Sequence, residues 1–230
     1  MDCLNHNIYN GIFIHNIMRL KEYWKKTWHF LWKEDSVASW IVNIILAFIL
    51  IKFIIYPGIG LLLGTNLPVV AVISESMEHD GTFDEWWNSP AICSNNPFNI
   101  SKCTQAEWYA MKNINEEEFK KFPFRNGFNK GDIMILKGVN MEELKIGEVI
   151  VFQSGMNYPI IHRVIEKNDV IQTKGDHNQA QIINTKLDER YITSDELIGK
   201  AWFKIPWIGY VKIWFVDLLR CITFNGCYFS

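Results

Sequence analysis

An apolar run between positions 39 and 63 constrains this chain more than any other feature. From Ser39 the sequence reads Ser-Trp-Ile-Val-Asn-Ile-Ile-Leu-Ala-Phe-Ile-Leu-Ile-Lys-Phe-Ile-Ile-Tyr, followed by Pro57-Gly58 and then Ile59-Gly60-Leu61-Leu62-Leu63. A helix crosses a bilayer with roughly 20 apolar residues, so residues 39–63 are expected to form a transmembrane anchor. Asp35 or Ser36 stands where a helix N-cap belongs, and Trp40 and Tyr56 stand where interfacial aromatics belong. Lys52 interrupts the run late and is expected to snorkel towards the far surface. The alternative is a buried core helix, but the flanks lack the polar periodicity of a soluble one. The run starts too far along the chain, and lacks the small-residue pattern, to be a removable signal peptide.

Orientation follows from charge. Arg19, Lys21, Lys25, Lys26 and Lys33 precede the run, and after Lys52 no Lys or Arg occurs until Lys102. Cations stay on the cytoplasmic side, so residues 1–38 are expected inside and everything beyond Pro57 outside, in a single-pass arrangement. Trp24, Trp28 and Trp32 recur every four residues among those lysines, a pattern suited to a helix lying at a membrane interface or against a partner subunit. The chain has 10 Trp in 230 residues, in keeping with contact to a bilayer. A net charge of -2 argues against a nucleic-acid partner.

Beyond the anchor the pattern changes to short apolar runs broken by turns. Strands are expected at 67–73, 132–136, 148–152, 160–165, 170–173 and 196–203, with hardly a helix between them. Such spacing predicts an all-β catalytic or binding domain over residues 64–204. Residues 81–128 depart from it. They are polar, include a stretch at 105–119 suited to one or two helices, and are read as a partly helical insert close enough to residue 76 to overhang it. The 5 cysteines contain no Cys-x-x-Cys pair, which argues against zinc or a thioredoxin-like motif. Cys93 and Cys103 share the insert and would pair in an oxidising compartment, beside the sequon Asn99-Ile100-Ser101. Residues 205–230 are aromatic and apolar but carry Lys212, Asp217 and Arg220, so an amphipathic stretch is expected rather than a second span.

Three motifs carry chemistry. Ser74-Glu75-Ser76-Met77 follows the first strand, Ile161-His162-Arg163-Val164 lies within a strand, and Thr173-Lys174-Gly175-Asp176-His177-Asn178 closes another. A serine hydroxyl becomes a nucleophile when a base takes its proton, and the base needs an acceptor to orient it. Ser76, His162 and Asp176 supply those three types. Each also has a plain alternative: a polar turn, a hydrogen-bonded core histidine and an Asx-turn. His79, His162 and His177 together would suggest a metal, but no His-x-x-x-His spacing supports one, and no cofactor is expected.

The ordered set resembles the type I signal peptidases of the archaeal and endoplasmic-reticulum class. The resemblance rests on Ser74-Glu75-Ser76-Met77, Gly131-Asp132-Ile133, His162-Arg163-Val164, Lys174-Gly175-Asp176-His177-Asn178, and Gly199-Lys200-Ala201 with Pro206-Trp207-Ile208-Gly209. It implies a membrane-bound serine endopeptidase that removes signal peptides after small residues from an extended substrate strand. Ser76 would be the nucleophile, His162 the general base, and Ser74 with the Ser76 N–H the oxyanion donors. Met77, Val151 and Ile161 would line small apolar pockets. Two departures stand out. His79 occupies a position where the family often has proline, and Ile182 occupies the position of its second aspartate. The orienting acid is therefore expected to be Asp176, with Asp188 or an acid-free Ser–His dyad as alternatives. A membrane-anchored β-domain that binds partners without catalysis is the rival reading.

Overall fold

A computed structural model describes residues 18–19, 21–94 and 101–208. The sequon's Asn99 and Ile100, and the C-terminal stretch beyond Ile208, lie outside the described residues. The chain divides into two units, Met1–Gly58 and Ile59–Ser230.

In the first unit residues 21–32 are helical, and a second helix, α1, spans Val37–Leu50. Ser36 caps α1, its hydroxyl accepting the Ser39 N–H at 3.2 Å. The Ser39 hydroxyl and the Asn43 amide donate to the Phe30 and Leu31 carbonyls at 2.6 and 2.8 Å. Two side chains of α1 thus satisfy carbonyls that the preceding helix leaves without intrahelical donors. Trp24, Trp28 and Trp32 are exposed. Helical structure continues through a π-helical segment, Ile51–Ile55, which contains Lys52, and through α2, Tyr56–Leu63. The run Val37–Leu63 is long and apolar enough to cross a membrane, and 6% of its most apolar window is buried. The run is therefore not packed into a core made by the described residues.

The second unit is built on a six-stranded antiparallel sheet. Its strands are β1 (Val69–Ala71), β4 (Ile133–Lys137), β5 (Val149–Phe152), β6 (Ile160–Lys167), β7 (Ile171–Lys174) and β8 (Leu197–Ile205), in the order β1-β4-β8-β5-β6-β7. Successive side chains of a strand point to opposite faces, and here both faces are covered. Ile150 and Phe152 of β5 and Ile160 and Val164 of β6 pack with Leu144, Ile171, Leu187 and Ile192. Val149 and Val151 of β5 and Ile161 of β6 pack on the other face with Val72, Met77, Phe128, Met134 and Leu136.

Between β1 and β4 lies the insert, with α3 (Phe83–Trp87), β2 (Pro90–Ile92), β3 (Lys102–Thr104), α4 (Gln105–Ala110) and α5 (Glu116–Phe119). All three helices open with a capping box, formed by Thr82/Glu85, Thr104/Glu107 and Asn115/Glu118. β2 and β3 pair, and a disulfide joins Cys93 to Cys103. Trp86, Trp87, Trp108, Tyr109 and Phe119 form an aromatic core that reaches Ile165 of β6.

Candidate active site

β1 carries the first motif into place. Its pairing with β4 extends past Ala71, because the Val72 N–H donates to the Asp132 carbonyl and the Gly131 N–H to that of Val72, both at 2.9 Å. The chain then leaves the sheet. Met77 is fully buried and acts as the anchor for this turn, with its carbonyl accepting the Phe128 N–H at 3.0 Å. The Ser76 carbonyl accepts the His177 N–H at 2.9 Å, and the Ser74 and Ser76 hydroxyls are 3.1 Å apart.

Gly175 joins the other two motifs to this turn. A Cβ at this position would lie 2.7 Å from the Ser76 carbonyl oxygen and 2.8 Å from His162 Nε2. Only glycine lets the strand-end backbone approach both at once. Ser74, Ser76 and His162 line one cavity of about 420 Å3, whose apolar walls include Val70, Val72, Val151, Ile161 and Leu187. Val151 and Ile161 are thus where the sequence expectation put them, while Met77 is packed in the core and does not line the cavity. None of the described residues of the insert lines it either.

The carboxylate beside His162 is not the one expected. His162, nearly fully buried on β6, directs Nδ1 at Oε1 of Glu189, 2.5 Å away. Glu189 is fully buried. Its Oε1 also accepts from the Thr173 hydroxyl at 3.2 Å, and its Oε2 accepts the Ile182 N–H at 2.5 Å. Residues 182–189 form a hairpin: Ile183 bridges Asp188, the Glu189 N–H donates to the Ile182 carbonyl, and the Asn184 N–H donates to that of Leu187.

Asp176 forms no hydrogen bond or ion pair with His162; its carboxylate is taken by other partners. Arg163 holds it from the opposite face of β6, with Nε on Oδ1 at 2.9 Å and Nη2 on Oδ2 at 2.6 Å. His79 Nε2 lies 3.0 Å from Oδ2, and the Tyr109 hydroxyl donates to Oδ1 at 3.1 Å. Burial opposes ionisation of Asp176, but the Arg163 guanidinium and the His79 hydrogen bond overcome it, and its carboxyl is held well below the usual carboxylate range. Asp188 faces outwards and pairs with Arg190 at 2.6 Å. His79 stacks on Trp86, with ring centroids 3.6 Å apart. His177 faces Asp80 at 3.7 Å, so the three histidines have separate partners.

Lys174 is the lysine beside the site. Its ammonium points into the insert, donating to Gln105 Oε1 at 2.9 Å and lying over the Trp108 ring at 4.9 Å. Burial pushes it down to about 7, against the attraction of Asp176 and Glu189. It does not line the cavity that Ser76 and His162 share, and its ammonium is taken by Gln105 and by the Gly175 carbonyl.

No protein-family model matches the chain. It is similar to the signal peptidase complex catalytic subunit sec11 of Sclerotinia sclerotiorum, with 38% identity over 96 residues, which is 37% of this chain and 55% of the relative. The corresponding subunit of Colletotrichum graminicola is 35% identical over 95 residues, again 37% of this chain and 55% of the relative. That of Dictyostelium discoideum is 35% identical over 96 residues, or 37% of this chain and 52% of the relative. The chain spans about half the length of the curated relatives it matches.

Proposed function

We propose that this chain is a membrane-anchored serine endopeptidase that removes signal peptides from exported preproteins, with Ser76 as nucleophile and His162 as general base. The observation that carries the reading is the convergence of Ser76 and His162 on one cavity, on either side of Gly175. With Nδ1–H donated to a carboxylate, His162 Nε2 keeps its lone pair on the side facing Gly175 and the Ser76 turn. Nε2 takes the Ser76 proton as Oγ attacks the scissile carbonyl, and returns it to the departing amine. Water then releases the acyl group by the reverse relay. The Ser76 N–H and the Ser74 hydroxyl are assigned to the oxyanion, with removal of one such donor typically costing roughly 3–4 kcal/mol of barrier.

The substrate enters as an added strand. β1 is an end strand of the sheet, and residues 69–74 and 76 form one wall of the cavity. An extended peptide paired there places alternate side chains against Val72, Val151 and Ile161. A membrane-anchored enzyme meets the end of a signal peptide at the membrane surface. The cation-rich segment before the anchor is assigned to the cytoplasm, with its Trp24, Trp28 and Trp32 stripe at the lipid interface. Membrane partner subunits fit the resemblance to subunits of a complex.

The test is cleavage of a preprotein by the full chain in membranes. Wild type cleaves, while Ser76→Ala and His162→Ala lose at least about 10^4-fold in rate. Cleavage by Ser76→Ala at the wild-type rate removes this reading, and a wild type that does not cleave restores the binding-only one.

A further inference from the structure

We infer that Glu189 is the positioning residue for the base, supplying from the second arm of the 182–189 hairpin the carboxylate that neither Asp176 nor Asp188 brings to His162. The inference rests on the assignment of His162 as base. Alternation along the chain places Glu189 there. It lies two residues from the buried Leu187, so both face inwards while Asp188 faces solvent. Its backbone is fixed on both sides, donating to the Ile182 carbonyl at 3.0 Å and accepting from the Thr173 N–H at 2.8 Å. The carboxylate then receives three donors: His162 Nδ1, the Thr173 hydroxyl and the Ile182 N–H. Asp176, by contrast, is claimed by a guanidinium. Position 182, where the resemblance would place the acid, keeps a part in the arrangement through its backbone N–H, while its side chain joins the cavity wall.

Two buried oxygens with fixed donors make the site sensitive to a single-atom change. In Glu189→Gln one oxygen becomes an NH2 group. The Ile182 N–H requires an acceptor, which holds the remaining oxygen on its own side and turns the NH2 towards His162 Nδ1. Nδ1 must then accept, the proton moves to Nε2, and Nε2 can no longer take a proton from Ser76.

The experiment compares wild type, Glu189→Gln, Glu189→Asp and Ser76→Ala as full chains in membranes or detergent. Cleavage is measured against pH, and the histidine tautomer is read by 15N NMR. Glu189→Gln is expected to lose about 10^3- to 10^4-fold in kcat with KM within about threefold, as expected for a wrong-tautomer base. Glu189→Asp retains the carboxylate and recovers at least tenfold of that loss. The acid limb of the residual activity moves to lower pH, because removing the anion disfavours the imidazolium. A kcat within tenfold of wild type for Glu189→Gln, or a loss confined to KM with the pH limb unmoved, overturns the role. Should Glu189→Gln fail to fold, the wild-type spectrum decides: a proton on His162 Nδ1 supports the inference, and a proton on Nε2 overturns it. The tautomer needs no activity, so a failed endopeptidase reading, signalled by Ser76→Ala cleaving normally, remains distinguishable from a failed role for Glu189.

Discussion

Two neighbouring residues of β6 hold two buried carboxylates on opposite faces of the sheet, and the two faces have different work. His162 points to one face and meets Glu189, while Arg163 points to the other and meets Asp176. β7 repeats the division: Thr173 joins Glu189, and Lys174 turns into the insert. Asp176 is enclosed by a permanent cation, a phenol and an imidazole, with its backbone carbonyl taken by the Trp86 indole N–H at 3.1 Å. It is a cross-link between insert and sheet. Glu189 has no guanidinium, and its imidazole partner has a second nitrogen left facing the Ser76 turn. Under the proposed chemistry, a buried carboxylate becomes part of the reaction when its partner can pass a proton onward, and part of the scaffold when its partner cannot.

The comparison breaks first at the salt bridge. Asp176→Ala leaves the Arg163 charge buried and unpaired and is expected to cost about 3–5 kcal/mol of stability, read as a lower urea midpoint. The Glu189→Gln change should cost much less stability while losing far more activity per folded molecule. Gly175→Ala tests the seam between the faces. The added methyl meets both the Ser76 carbonyl and His162 Nε2, and a displacement approaching 1 Å should lower kcat about 10^2-fold while the overpacking costs about 1–3 kcal/mol of stability. Cys93→Ser acts on the insert face alone. Opening the link between Cys93 and Cys103 should cost about 2–3 kcal/mol and leave the pH profile of cleavage unchanged.

Taken per pH unit, the smallest effect is on pH dependence. Lys174 titrates near 7 in the folded chain, below its ordinary value of about 10.4. The unfolded chain thus binds more protons between those values, and stability should rise with pH across that window by at most about 1.4 kcal/mol per unit. Lys174→Met should flatten the rise. Asp176 gives an acid limb of the same sign: its folded pKa is depressed, so its contribution is complete above the ordinary carboxylate range and is lost as pH falls below it.

Much of this was legible in the sequence. The six sheet strands lie within about two residues of their expected ends, because each is a short apolar run bounded by turn residues. Ser76 and His162 were visible because each sits in a short motif whose order could be read. The β2–β3 hairpin was missed: at three residues each, its strands are too short for alternation to register. Glu189 was missed because it lies 27 residues beyond His162 and belongs to no motif, while the Gly-Asp turn offered a nearer acid. A usable signal did exist. Leu187 and Glu189 alternate in a segment that otherwise turns its charges outwards, and a charge on the inward side of a strand asks for a buried partner. The insert's distance from the cavity had no such signal, since its packing depends on Arg163 facing away from His162.

The brevity of β1 has a consequence for accuracy. A bare sheet edge pairs with any extended chain that reaches it, and this one offers a three-residue strand between Pro68 and the turn at Ser74. A peptide added there has almost no room to slide. A slip of one residue turns the wrong side chains to the cavity, and a slip of two moves every bond by about 7 Å along the strand. Under the proposed chemistry, the edge is a ruler: its length sets which peptide bond stands before Ser76, before any side chain is recognised.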